Sequence, residues 1–498
     1  MKTVSTTIVA ILTAAVCIAF AHEAFHGPTE LIYYDRDKSA NGYVMFSVRP
    51  RLDDHEFTYL IDMQGNVVHK WKTIMPAYRG KGYYIEKTAR LTEKGTIVQG
   101  IMTDEKVKPK SLLQELDWNG NLMWEFIDPR EGYIYHHSHK RIWNNKLKDW
   151  TIIFSSQFPM TQQQAVAAGA DPSKQWNAAP DGVVEVDMKR NIVWQWWALD
   201  HVVQDKNPNW HNYGVIKEHP EKIDLNWGAG LRGDFTHQNA LDYNQTLDQI
   251  VVSNSTMSEF YVIDHGGTFV PGDFQASKGR AAGPAGDILF RWGNPNVYDS
   301  GKGPSYVSDG NRSSEGDQQL HFHHDIQWIK EGLPGAGNFL VFNNGARRAG
   351  GYRSEVVEVN PYDGTYPNAK YLSETGGRGA KQKVWSFTSV EPNSFYSAHI
   401  SSVQRLPNGN TLVISGRHGH IFQVTRDGEV VWEYTVPVMD IVSPNAALKD
   451  IYKKVISDKD HNWTFAAQWY PADHPGLAGR DLTPKGKITD ILDGNNVR

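Results

Sequence analysis

Leu116-Asp117-Trp118-Asn119-Gly120-Asn121-Leu122-Met123-Trp124 is the phrase that decides the fold. An apolar stretch ends in aspartate, a turn with glycine follows, and a second short stretch ends in tryptophan. Alternating polarity on both sides of such a turn predicts a β-hairpin. The phrase recurs with other words. It reads Leu60-Ile61-Asp62-Met63-Gln64-Gly65 to Trp71, Val186-Asp187-Met188-Lys189-Arg190 to Trp194, and Val262-Ile263-Asp264-His265-Gly266-Gly267 stretched to Trp292. A looser copy runs from Val359-Asn360-Pro361-Tyr362-Asp363-Gly364 to Trp385, and Val424-Thr425-Arg426-Asp427-Gly428 to Trp432 makes six in all.

A second strand pair precedes each copy. Three of these pairs open on a histidine: His237 before Leu241 and Tyr243, His324 before Ile326 and Trp328, and His399 before Leu406-Pro407-Asn408-Gly409-Asn410 and Leu412-Val413-Ile414. Tyr84-Ile85 and His137 introduce the corresponding pairs of the second and third units. Two hairpins make a four-stranded sheet, and six such sheets predict an all-β chain folded as a six-bladed β-propeller. The expected layout is a propeller over 46–438, an N-terminal strand segment over 22–45, and a C-terminal extension over 439–498. That extension is read as a tail packed on the propeller, with Asn445 to Val455 helical. Between blades, Gln157 to Pro180 is expected to hold a short helix and Val202 to Gly233 to be a long connector. Gly272 to Ala285 and Gly301 to Gly316 read as rim loops, where binding surfaces gather.

The innermost strands of a propeller line its axis, so equivalent positions on them form a ring. The repeat register alone puts His237, His324 and His399 in one ring near one mouth. A single histidine in such a place more often satisfies a buried backbone group; three in register favour a site. His136-His137-Ser138-His139 brings His137 near the same level, as a channel lining or a substrate contact. His323 and His324 lie on opposite faces of one strand, and sequence leaves open which faces the axis. His321 and His323 share a face, but no carboxylate or cysteine is spaced to complete a metal set, so no metal is expected. Asn344-Gly345-Ala346-Arg347-Arg348 closes the second strand of the fifth unit. One of its arginines either reaches back as a fixed cation for a tetrahedral oxyanion or stays in a solvated turn.

The chain has 498 residues, is 40% hydrophobic, and carries a formal net charge of -5, with no Lys/Arg run to support nucleic-acid binding. Lys2, the apolar run Ile8 to Ile18 and Ala19-Phe20-Ala21 predict an export signal over 1–21, cut after Ala21, and no stable membrane insertion thereafter. Val16 before Cys17 is the wrong context for lipidation. Cys17 is the only cysteine. Its loss with the signal leaves neither a disulfide nor a thiolate nucleophile.

With these residues assembled, the chain resembles the bacterial arylsulfate sulfotransferases, exported six-bladed propellers that need no nucleotide sulfate donor. The resemblance rests on Thr236-His237-Gln238-Asn239, His324-Asp325, Asn344-Gly345-Ala346-Arg347-Arg348, Phe290-Arg291-Trp292-Gly293-Asn294-Pro295, Gln404 to Leu412, and Pro475 to Leu482. It implies ping-pong transfer of a sulfuryl group from an aryl sulfate to a phenol through a sulfated histidine, in the periplasm or outside the cell, with no cofactor. Carried onto this chain, the nucleophile is His399. His237 and His324 bind sulfate oxygens or handle the phenolic proton, and Arg348, with Arg347 as rival, supplies the guanidinium. Arg347, His323, His137, Asn239 and Asn344 are the further substrate contacts. Two other readings stand beside this one: a non-catalytic propeller that binds through its rim, and a quinoprotein-like oxidoreductase, whose docking motif the Asp-x-x-Gly to Trp phrase also resembles.

Overall fold

The computed structural model describes residues 29–48, 57–74, 84–103, 109–174, 176, 179–227, 235–307, 312–391, 394–437 and 463–495. The expected signal segment and the helix expected over Asn445 to Val455 lie outside the described residues.

Six antiparallel sheets form a six-bladed β-propeller. From the inside outward, blade 2 is Tyr84–Leu91, Ile97–Thr103, Ser111–Leu116 and Leu122–Phe126, and blade 3 is Ile134–Asn144, Asp149–Gln157, Asp181–Asp187 and Ile192–Trp197. Blade 4 is Leu241–Asn244, Gln249–Asn254, Glu259–Asp264 and Phe290–Trp292. Blade 5 is His324–Trp328, Phe339–Asn343, Glu355–Val359 and Lys383–Thr388, and blade 6 begins with Ser402–Arg405, Thr411–Ser415, His420–Val424 and Val430–Thr435.

The chain ends interlock. Glu30–Tyr34 adds a fifth, outermost strand to blade 6. Blade 1 is composite: Tyr43–Ser47, Phe57–Asp62 and Val67–Lys72 come from the start of the chain, and its innermost strand is Ala467–Tyr470. The segment read from sequence as a tail therefore contains the strand that closes the ring. Closure removes two free sheet edges at once. The fit is close: a Cβ on Gly42 would stand 2.3 Å from the Tyr470 carbonyl oxygen. Farther on, Ile488 is fully buried in the core shared by blades 6 and 1.

The repeated phrase has a physical explanation. In the first three blades the aspartate closes its own hairpin turn, as where Asp117 accepts from the Asn121 backbone N–H at 2.8 Å and its side-chain amide at 2.8 Å. Asp62 with Asn66 and Asp187 with Asn191 repeat this pairing. Each tryptophan then reaches the next blade. The indoles of Trp71, Trp124, Trp194, Trp292, Trp385 and Trp432 donate to Asp117 O, Met188 O, Thr268 Oγ1, Gly379 O, Arg426 O and Met63 O, at 2.8 to 3.2 Å. The last bond returns to blade 1, so the six form a closed circle.

A second circle runs around the axis, where each innermost strand has one unpaired edge. Side chains satisfy part of it. Tyr470 Oη accepts from Leu91 N (2.8 Å), Arg90 Nε donates to His139 O (3.1 Å), and Ser138 Oγ accepts from Leu241 N (3.3 Å). Asp242 accepts from Trp328 N (3.0 Å), Asp325 from Val403 N (2.8 Å), and Gln404 from Trp469 N (2.7 Å). Buried backbone donors left without such partners would cost about 1–3 kcal/mol each.

The rim insertions differ in character. The stretch after Gln157 holds the expected short helix, Gln162–Ala167, capped by Thr161. The stretch read as a loop at Gly272 to Ala285 contains the helix Phe274–Ala281, whose N-cap Asp273 accepts from Ala276 N at 2.9 Å. The connector after Val202 carries two-residue strands and a single 3₁₀ turn, and Gly301 to Gly316 contains a small hairpin.

Candidate active site

All innermost strands run the same way through the channel, so their N-terminal ends share one mouth. There the chain gathers imidazoles. His137 and His237 face each other with their Nε2 atoms 3.3 Å apart and ring centroids 4.9 Å apart. The His237 ring lies 6.3 Å from that of His324, and Asn344 bonds both the His324 ring and the turn that carries His399. Thus the three histidines read as a ring, together with His137, meet at one place.

Aromatic rings enclose them. Phe465 stacks on His137 at 5.6 Å and meets the edge of His324 at 6.3 Å. Phe322 lies 5.9 Å from His237, and Trp463 packs edge-on against His399 at 4.6 Å. Phe465 and Trp463 were missed in the sequence because they precede the closing strand, which carries no copy of the repeat.

The backbone here is bent in an unusual way. His137 (φ 62°), His237 (φ 50°), Phe322 (φ 55°), Ile400 (φ 54°) and Ser401 (φ 95°) are left-handed without being glycine. Each costs on the order of 1 kcal/mol or more, and persists because its surroundings leave no alternative. Asp181 is one such support: fully buried, it pairs with His136 Nε2 at 2.7 Å and accepts from Thr236 N at 3.3 Å. It thereby fixes the residue before His137 and the residue before His237. Ser401 Oγ bonds Ser397 Oγ at 2.9 Å across the His399 turn.

Asn344 links the remaining two histidines. Its amide nitrogen donates to the carbonyls of Ser397 (2.8 Å) and Ile400 (3.0 Å), the residues that bracket His399. Its Oδ1 must then face His324 Nδ1, 2.7 Å away, and that nitrogen carries the proton. The His324 Nε2 is left as the basic atom. Burial above all, with the other histidines adding to it, holds His324 well below the usual histidine range, so it stays neutral.

His323 is turned away from this centre. Its ring is fully buried with no hydrogen bond on either nitrogen among the described residues, and burial pushes it down to about 3. Its carbonyl is the useful group: Asn239 Nδ2 donates to it at 3.0 Å, tying blade 4 to blade 5. Among the described residues neither arginine bonds an imidazole. Arg348 Nη1 pairs with Glu355 at 3.3 Å, while Arg347 is exposed on a left-handed turn (φ 60°). Glu355 is nearly buried and draws Arg348 to one oxygen and Lys383 to the other at 2.9 Å. Among the described residues no cluster of three or more His, Cys, Asp or Glu could hold a metal ion.

Several imidazoles thus converge at one mouth of the propeller channel. Residues 32–450 match the arylsulfotransferase (ASST) family, and the chain belongs to that family. It is therefore an arylsulfotransferase, an enzyme whose substrates are aryl sulfates and phenols. No curated protein matches the chain. Similar solved structures include a protein of unknown function from Bacteroides caccae, at 9% identity and TM-score 0.38, covering 86% of this chain and 98% of that one. The periplasmic gluconolactonase of Pseudomonas aeruginosa is another, at 9% identity and TM-score 0.34 over 79% of this chain and 96% of that one. Virginiamycin B lyase from Staphylococcus aureus, at 10% identity and TM-score 0.26, covers 72% and 70%. Among the described residues no helix is long and apolar enough to cross a membrane.

Proposed function

We propose that the enzyme works by two half-reactions through a sulfohistidine on His399, using no nucleotide donor, and that it does so after export. In the first, the His399 lone pair attacks the sulfur of an aryl sulfate and the S–O(aryl) bond breaks, releasing the aryl group to solvent as its phenolate. In the second, an acceptor phenol gives its proton to His324, its oxygen attacks sulfur, the N–S bond breaks, and His324 passes the proton to solvent. Sulfuryl transfer through a loose transition state needs positioning and cationic donors more than covalent help. His324, neutral and with Nε2 free, is the base for the acceptor; the His137–His237 pair shares a proton and donates to sulfate oxygens. Phe465 and Phe322 flank the aryl ring. Arg348 meets the equatorial oxygens by exchanging Glu355 for the sulfate.

The observation that carries this reading is the Asn344 bridge, which sets His324 and the His399 turn in one hydrogen-bonded unit. The test is 4-nitrophenyl sulfate with and without phenol. Without acceptor the enzyme should release one equivalent of nitrophenolate and stop, leaving sulfate on His399; with phenol, release should continue. A His399→Ala enzyme that keeps the burst would sink the assignment. Export is tested separately. The mature protein should begin at His22 and fractionate outside the cytoplasm; a cytoplasmic chain beginning at Met1 overturns that part alone.

A further inference from the structure

The imidazoles occupy one mouth of the channel. The opposite mouth opens into a cavity of about 280 Å³ whose walls come from all six inner strands. On the strands that follow His137, His237, His324 and His399 its wall begins as near as Asp325, but Lys140, Asp242, Lys330 and Arg405 stand three to six residues past those histidines, roughly 10 Å or more away at strand rise. Five cations line it: Arg90, Lys140, Arg141, Lys330 and Arg405. Two are committed to structure, Arg141 to Glu115 at 3.2 Å and Arg405 to Glu358 at 2.6 Å.

The other three come from blades 2, 3 and 5 and face one another. Three carboxylates, Asp242, Asp325 and Glu93, line the same cavity and offset part of this charge. Asp242 takes Lys140 on one oxygen and the Trp328 N–H on the other. Asp325 spends Oδ2 on Val403 N at 2.8 Å and Gln327 Nε2 at 3.0 Å. Arg90 gives Nε to the His139 carbonyl at 3.1 Å. Among the described residues neither Arg90 nor Lys330 makes an ion pair, and Glu93 stands exposed at the outer edge. Burial first, and then Lys330 and Arg90, lower the Lys140 ammonium well below its ordinary value; burial and then Arg90 do the same to Lys330. Like charges this close are stable when an anion sits between them.

We propose that this cavity is a second ligand site, which binds a small tetrahedral oxyanion, sulfate or phosphate, between Arg90 and Lys330 at the end of the channel remote from the imidazoles. Lys140 stands beside the anion, and the Gln327 and Gln404 side chains complete the polar wall. A guanidinium fork with an ammonium opposite suits a tetrahedral dianion better than a halide.

Crystals of the whole protein grown without sulfate or phosphate and soaked in selenate should show anomalous density in this cavity, in the His399→Ala enzyme as in the native one. Calorimetry with sulfate and with phosphate at fixed ionic strength then tells which of the two fits better. In the His399→Ala background Lys330→Gln should weaken binding about tenfold or more, and Lys330→Arg should keep it. The Lys330→Gln enzyme, with His399 intact, should retain its transferase turnover. Selenate confined to the histidines, a response no stronger than chloride's, or equal affinity in Lys330→Gln each overturns the proposal.

Discussion

Asn344 decides which nitrogen of His324 is available. With both amide hydrogens given to the carbonyls around His399, only its oxygen remains for His324. An Asn344→Asp enzyme puts a negative charge at that oxygen and raises the imidazole's affinity for protons. In the proposed mechanism His324 is a base and must be neutral to act, so the acid limb of kcat against pH should move to higher pH. An unmoved limb would remove His324 from the proton-transfer step. The two arginines are separable in the same way. Arg348→Ala should lower kcat/KM by about 10²–10³, the range for losing one strong donor to transition-state charge, and Arg347→Ala by less than about threefold. Equal losses would show that neither has a specific role.

At the scale of strands, the tryptophan circle makes each blade the acceptor for its neighbour. Trp432→Phe keeps the ring but leaves Met63 O without its donor, and should cost about 1–2 kcal/mol in denaturant unfolding. Trp469→Ala empties a buried site in the closing strand and should cost about 3–5 kcal/mol. A smaller loss at Trp469 than at Trp432 would show that closure contributes little. These elements were unequally legible. The aspartate-to-tryptophan phrase could be read because turn chemistry and the bond to the next blade both demand fixed residue types. The closing strand could not: Ala467-Gln468-Trp469-Tyr470 is four residues long, lacks the phrase, and pairs with Tyr43–Ser47 more than 400 positions away. The helix Phe274–Ala281 was hidden by Gly279 in its interior, although Asp273 was a usable cap signal. At the channel mouth, ring register anticipated the gathering of His237, His324 and His399. The choice between His323 and His324, the placement of Arg348 against Glu355, and the aromatic walls depended on neighbours distant in sequence.

For the molecule as a whole, buried titratable groups set two slopes of stability against pH. His139 and His323 are lowered by burial to about 3, and His324 also lies well below its usual range. The unfolded chain binds protons at these sites below about pH 6.5 while the native chain does not, so stability falls as pH drops, by about 1.4 kcal/mol per unit for each. On the alkaline side, His265 between Glu185 and Asp248 is raised to about 9, despite burial. Its contribution is complete below pH 6.5 and disappears as pH rises through 9. Glu374, raised to about 8 by burial, is protonated in the native chain and ionised when unfolded above pH 4.5, so it too weakens the fold as pH climbs toward 8. Unfolding free energy should therefore peak between about pH 6 and 7, and Glu374→Gln should flatten the alkaline slope by about 1.4 kcal/mol per unit between pH 7 and 8. An unchanged slope in that variant would show that Glu374 is ionised in the native chain.

The composite first blade has a consequence for how the enzyme comes into being. Synthesis delivers the outer three strands of that blade first and its axial strand nearly last, directly after Trp463 and Phe465, the two rings that pack on His399, His137 and His324. One short segment thus carries both the strand that closes the ring and the aromatic residues beside the imidazoles. A nascent or prematurely terminated polypeptide holds His137, His237, His324 and His399 yet lacks Trp463 and Phe465, and the cluster of rings is complete only when the two ends of the chain have found each other.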